Sequence, residues 1–149
     1  MRIHLNGDHI DNLARKLASL GERAGEAVSD MLINGSDYLI DALKRGCAEY
    51  GHDSPGNSGR ATGGLIKSIQ RKSEPKLNND GGEVVITFKG SKKSGKSGKK
   101  SVRYGEIMAY LNYGTSSIPA DHWVDNTLEL AMPIAKEIMN DTLNKHLNR

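Results

Sequence analysis

The order strand, long helix, three strands, two helices predicts an α+β domain in which a long N-terminal amphipathic helix and a kinked C-terminal helix pack on a small antiparallel sheet. Two observations carry this expectation. Apolar residues recur at three- and four-residue steps from Ile10 to Leu43 and again from Val124 to Leu147. Between those stretches lie short strand-like runs broken by Asn, Asp and Gly. At 149 residues the chain suits one domain, and no internal repeat divides it.

The first element is a strand: Met1 to Leu5 alternates, Ile3 and Leu5 share one side, and Asn6-Gly7 follows as a turn. Such a strand suits a sheet edge. Asp8 stands where it can cap a helix starting near His9, with Asp11 in its first turn. The stripe Ile10, Leu13, Leu17, Leu20, Ala24, Val28, Met31, Leu39, Ala42 and Leu43 carries that helix to about Tyr50. Forty residues at ~1.5 Å each span roughly 60 Å, more than a domain of this size covers, so the helix must kink or extend against neighbours. Asn34-Gly35 is the expected break, while Gly21 and Gly25 alternatively permit close approach of another helix.

Gly51 to Gly63 is a loop by composition, and Thr62 can cap a short helix or turn through Leu65, Ile66 and Ile69. Ile69 to Lys76 and Glu83 to Lys89 read as a hairpin joined by Leu77-Asn-Asn-Asp-Gly-Gly82. Ser101 to Tyr104 closes a further strand. Glu106 to Tyr113 follows as a helix that Gly114 can stop in a left-handed conformation. Asp121 can cap the last helix, with stripe Val124, Leu128, Ala131, Ala135, Ile138, Leu143 and Leu147, and Pro133 predicts a kink near Glu129 to Pro133.

Apolar residues make up 36% of the chain, with one Trp and one Phe. A core built from Leu, Ile, Val, Ala and Met is thin, which favours burial against a partner or further copies. No apolar run reaches the ~18 to 20 residues of a membrane span, and the first residues show no signal-peptide stretch, so a soluble protein of a reducing compartment is expected. The lone Cys47 excludes an internal disulfide and reads as a small buried thiol.

The formal charge of +3 is unevenly placed. Lys89, Lys92, Lys93, Lys96, Lys99, Lys100 and Arg103 fall in one acid-free window; of the 21 basic residues 14 remain outside it, against 18 acidic, leaving −4. Gly90 to Ser101, composed of Gly, Ser and Lys, therefore reads as a flexible loop between two strands, either a solvated hairpin tip or a segment that orders on DNA or another polyanion.

Gly90-Ser-Lys-Lys-Ser-Gly95-Lys96-Ser97 matches the phosphate-loop pattern G-x-x-x-x-G-K-[ST]. That chemistry requires a helix starting at the lysine, and Gly98-Lys99-Lys100-Ser101 is a poor helix start. No second acidic strand end supplies a magnesium ligand, so no nucleotide cofactor is assigned. A metal site can be drawn from His52, Asp53, Asp121, His122 and Asp125, but a capping Asp and a surface His explain the same letters. Cys47 has no catalytic motif around it and no Ser sits in a nucleophile elbow. Neither an enzyme, a metal nor a cofactor is expected.

Taken in order, the landmarks resemble the head-tail joining, or neck and tail-completion, proteins of long-tailed bacteriophages, a group that includes minor tail components. One block is Ile3-His-Leu-Asn-Gly7, the long helix, Pro55, and Thr62-Gly63-Gly64-Leu65-Ile66-Lys67-Ser68-Ile69, similar to the family's T-G-x-L-x-x-S-I segment. The other is Tyr110-Leu-Asn-Tyr-Gly114-Thr115-Ser116 followed by Ile118-Pro-Ala-Asp-His-Trp-Val124. Asn112 and Tyr113 stand where the family commonly has an acid, His122-Trp123 where Pro-Phe is common, and the Lys-rich loop looks like an insertion.

The resemblance implies a structural virion protein that forms a homo-oligomeric ring at the head-tail junction, assembled in the host cytoplasm. Its implied partners are copies of itself, head-connector and tail proteins, and DNA passing through the channel, with no membrane. Ile3, Leu5, Tyr113, Gly114, Thr115 and Trp123 are the candidate intersubunit or structural residues, Tyr113 and Trp123 being read first as packing the turn against the last helix. The rival from another class is a free nucleic-acid-binding protein acting through the Lys-rich loop.

Overall fold

The computed structural model describes residues 2–7, 10, 12–52, 63–78, 81–94 and 100–149. It is a mixed helix and sheet fold: β1 (Ile3–Asn6), α1 (Leu13–Leu20), α2 (Ala24–Glu49), α3 (Gly64–Ser68), β2 (Ile69–Arg71), β3 (Lys76–Asn78), β4 (Gly81–Phe88), β5 (Ser91–Ser94), β6 (Lys100–Arg103), α4 (Tyr104–Tyr113) and α5 (Trp123–Leu147). The expected α+β class holds, with five strands rather than three between the long helical region and α4.

β4 is the spine of the main sheet. β1 pairs antiparallel along one edge, Ile3 opposite Ile86, and β2 and β3 share the other edge, Ile69 opposite Phe88 and Lys76 opposite Glu83. Alternation then sends Ile3, Leu5, Val84, Ile86 and Phe88 inward, each 6% exposed or less. β1 is an edge strand as expected, with no strand on its outer side among the described residues.

The hairpin differs from expectation in its first arm. The strand expected from Ile69 to Lys76 is interrupted between Arg71 and Lys76, Leu77 is in β3 instead of the turn, and Gly81 and Gly82 belong to β4. The Lys72 N–H still donates to the Val85 carbonyl at 2.8 Å, so pairing with β4 resumes only after a local detour that includes Pro75. Proline has no N–H to give a ladder, which is why the arm breaks there.

The long helix also differs. Asp8, His9 and Asp11, expected to start and cap it, lie outside the described residues, and the helix begins at Leu13, after Asn12 in a left-handed conformation. The break falls at Gly21, not at Asn34-Gly35. Gly21 has φ +57 and ψ −121, a region closed to side-chain-bearing residues, and a short 3₁₀ turn, Gly21–Arg23, leads into α2. Nor does Gly21 admit a second helix, since a Cβ there would meet nothing within 4 Å, while Gly25 faces only Leu77 of β3.

α2 runs unbroken through Asn34-Gly35 because both residues are used. A Cβ on Gly35 would lie 2.6 Å from Met139 Cγ and 3.1 Å from Leu5 Cδ2, and the Asn34 amide donates to Thr142 Oγ1 at 3.1 Å. Gly46 likewise sits beneath Thr127 Oγ1. The glycines that weaken the isolated helix are thus where α5 presses against it. α2 is the centre of the core, with Met31, Leu32, Leu39, Leu43 and Cys47 fully buried between the sheet and α5.

α5 continues through Pro133, which lies exposed on its outer face. Its buried side includes Met139, Thr142 and His146, outside the expected stripe, while Leu128, Ile138 and Leu147 are only half-buried. His146 Nε2 meets Asp30 Oδ2 of α2 at 2.9 Å, with the imidazole 4% exposed. No helix among the described residues is long and apolar enough to cross a membrane.

Candidate functional site

The two blocks of the resemblance, far apart in sequence, meet around α4. Gly63 adopts φ +76 before α3, and Gly64 lies directly against the Tyr104 hydroxyl, where any Cβ would overlap the ring. Ile69 pairs with Phe88, and Phe88 meets Trp123 edge-on at 6.1 Å. The Thr62 cap and Pro55 fall outside the described residues.

Gly114 ends α4 with φ +80 but ψ 170, an extended conformation of positive φ in place of the expected left-handed helical one. A Cβ would also lie 2.8 Å from the Ala120 nitrogen and 2.9 Å from the Ile118 oxygen, so the turn closes only over glycine. Thr115 fixes that turn, its Oγ1 accepting from the amides of Ser117 at 3.2 Å and Ile118 at 3.0 Å.

Asp121 Oδ1 accepts the Trp123 N–H at 3.0 Å, so Asp121 contributes to the start of α5 as expected. The next two amides go to a residue that stands out in the sequence only as a departure from the family pattern. Asn112 Oδ1 accepts the Val124 N–H at 2.9 Å and the Asp125 N–H at 3.3 Å, while its amide donates to Asp125 Oδ2 at 3.0 Å. Asn112 is fully buried. The signal was a lone amide on the apolar side of a short helix.

Trp123 is fully buried against Phe88 and His52, its Nε1 without a hydrogen-bond partner among the described residues, which makes it a core residue of the protomer. Tyr113 is 53% exposed. Ile3 and Leu5 point into the core, so neither of these two side chains is free to meet a neighbour.

Of the residues drawn as a metal site, His52 Nε2 contacts Asp121 Oδ2 at 2.6 Å and His122 Nδ1 lies 3.5 Å from Asp125 Oδ2. Asp53 lies outside the described residues. Among the described residues no three His, Cys, Asp or Glu side chains gather into a metal-binding group.

The basic segment is only in part the expected loop. Ser91 to Ser94 and Lys100 to Arg103 form an antiparallel ribbon, Lys92 opposite Val102 and Ser91 opposite Arg103; Lys96 and Lys99, with the rest of 95–99, lie outside the described residues. Its root is tied down: the Lys89 N–H donates to the Ser68 carbonyl at 2.8 Å and the Tyr104 N–H to the Gly90 carbonyl at 3.0 Å. The strand β6, where a phosphate loop would have its helix, removes the context that the G-x-x-x-x-G-K-S match needs.

Exposed apolar side chains gather elsewhere. Between α2 and α5 a groove of about 240 Å³ is bordered by Tyr38, Arg45, Glu49, Tyr50, Leu130 and Ile134, of which Leu130 is 77% exposed. No protein family, curated protein or solved structure matches this chain.

Proposed function

We propose that this chain is a structural protein of a tailed-phage virion, forming a homo-oligomeric ring at the head-tail junction between the capsid connector and the tail. It works by fit, making and breaking no covalent bond. Its neighbours are copies of itself, connector and tail proteins, and DNA in the channel.

The observation that carries this reading is the exposed apolar groove at Leu130, Ile134 and Tyr50 between α2 and α5. Burying one such leucine stabilises an interface by about 1.5–3 kcal/mol. Support also comes from the order of the two sequence blocks, their convergence around α4, and the open outer edge of β1, where a neighbour's strand can add. Closed rings use heterologous contacts of this kind.

The test is light scattering and negative-stain imaging of the purified protein, with Leu130→Asp as the perturbed variant. Rings in the unmodified protein and smaller species in the variant, at equal helicity, are expected. A monomer at all concentrations, together with absence from the neck of purified particles, overturns the proposal. The rival, a free nucleic-acid-binding protein, predicts a monomer whose DNA binding vanishes when Gly90 to Ser101 is deleted; the ring predicts that assembly survives that deletion.

A further inference from the structure

Apart from Leu77, the large apolar side chains exposed among the described residues fall into two groups. Tyr50, Leu130 and Ile134 border the groove between α2 and α5. Tyr110 and Tyr113 stand on α4, and Ile118 on the turn that follows it. None of this second group lines the groove, so the chain carries one apolar hollow and, separately, one apolar ridge.

The ridge has the form of something that fills a groove. Glu106, Tyr110 and Tyr113, at i, i+4 and i+7, share the exposed face of α4. A helix laid into an apolar groove presents anchors at this spacing. α4 has 10 residues, roughly 15 Å, and the α2 wall of the groove from Tyr38 to Tyr50 runs roughly 18 Å. Ile118 is held outward by the turn that Thr115 fixes, so little ordering entropy remains to be lost on contact.

Charge selects a copy of this chain as the occupant. From Tyr104 to Ala135 there are the acids Glu106, Asp121, Asp125 and Glu129 and no Lys or Arg. The charged residues bordering the groove are Arg45 and Glu49. Arg45 is exposed, 5.8 Å above the Tyr38 ring, with no carboxylate partner among the described residues. Glu106 is also exposed; it borders a cleft with Arg2 and Arg103 but forms an ion pair with neither. Arg45 and Glu49 are four residues apart on α2, as Glu106 and Tyr110 are on α4, roughly 6 Å along the axis in each case. With α4 of one copy parallel to α2 of the next, a single register therefore sets Glu106 against Arg45 and the Tyr110 hydroxyl, as donor, against the Glu49 carboxylate.

We infer that the exposed face of α4 in one copy lies in the α2–α5 groove of the next, with Glu106 paired to Arg45. This rests on the ring reading and deepens it by naming the surface that fills the groove. Because the two surfaces differ, each copy offers α4 to one neighbour and its groove to the other, a heterologous contact that closes into a ring.

The experiment is a charge swap on the full chain, read by light scattering over a concentration series. Arg45→Glu sets a carboxylate against Glu106, and Glu106→Arg sets a second cation against Arg45. Each should raise the concentration for half-assembly about tenfold or more, and the double variant Arg45→Glu/Glu106→Arg should return it to near the unmodified value. Circular dichroism verifies that all three are folded. In parallel, Arg45→Cys/Glu106→Cys is oxidised and run on a denaturing gel. A ladder of covalent multimers is expected from the double variant, a dimer from the two single variants mixed, and neither from a single variant alone, since Cys47 is fully buried.

Assembly by the unmodified protein that is indifferent to both single charge changes overturns the inference while the ring stands; the groove would then belong to a connector or tail protein. Covalent dimers from Glu106→Cys alone also overturn it, because α4 would then meet α4. A monomer at every concentration overturns this contact together with the ring.

Discussion

Asn112, from α4, accepts the N–H of Val124 in the first turn of α5 at 2.9 Å. The residue just before α5, His122, sits at φ +55 and gives no side-chain cap of its own. A helix of 25 residues is therefore started in part by a side chain from another helix.

Asn112→Ala should lower stability by about 1–3 kcal/mol, since it strands the buried Val124 amide and frees the Asp125 carboxylate of its donor. Asn112→Asp keeps the acceptor but sets two carboxylates together, and should recover only part of the loss. Urea unfolding followed by far-UV circular dichroism measures both. Equal stability of Asn112→Ala and the unmodified protein would show that the cap contributes nothing.

Gly35 and Gly25 lie in the same helix and should respond with opposite signs. Gly35→Ala should cost about 1–3 kcal/mol through overlap with Met139 and Leu5. Gly25→Ala meets only Leu77 Cδ1 at 3.4 Å and should gain up to about 1 kcal/mol in helix propensity. Paired thermal melts decide it.

The Asp30–His146 contact joins α2 to the end of α5 with the imidazole almost wholly enclosed. Asp30→Ala should destabilise by about 1–3 kcal/mol because the buried ring nitrogen loses its partner. Replacing both residues together, Asp30→Ala/His146→Leu, should cost less than the sum of the separate changes, a coupling that a double-mutant cycle reads directly.

Trp123 is the one tryptophan, so intrinsic fluorescence reports a single buried site. Its emission should be blue-shifted in the folded protein and move red on unfolding. Trp123→Ala should cost about 3–5 kcal/mol. Trp123→Phe should cost much less, because the indole N–H it removes has no hydrogen-bond partner among the described residues.

The apolar stripe from Leu13 to Leu43, the alternation around Ile86 and the punctuation at Gly114 were legible because they are local: spacing fixes which side chains share a face, and Gly114 sits where the chain must reverse. The groove at Leu130 and the cleft between Arg2 and Arg103 were not. An exposed leucine and a buried one look alike in a stripe, and two arginines a hundred positions apart carry no signal of meeting.

The sequence by itself determined the long helical stretches, the β4 strand and the isolation of positive charge in one segment, because propensity, periodicity and charge need no distant partner. Only the tertiary structure decided which glycine breaks the long helix and which one α5 covers, since Gly21 and Gly35 differ in backbone dihedral and in neighbours rather than in residue type. It also decided what starts α5, because the acceptor for those amides comes from another helix.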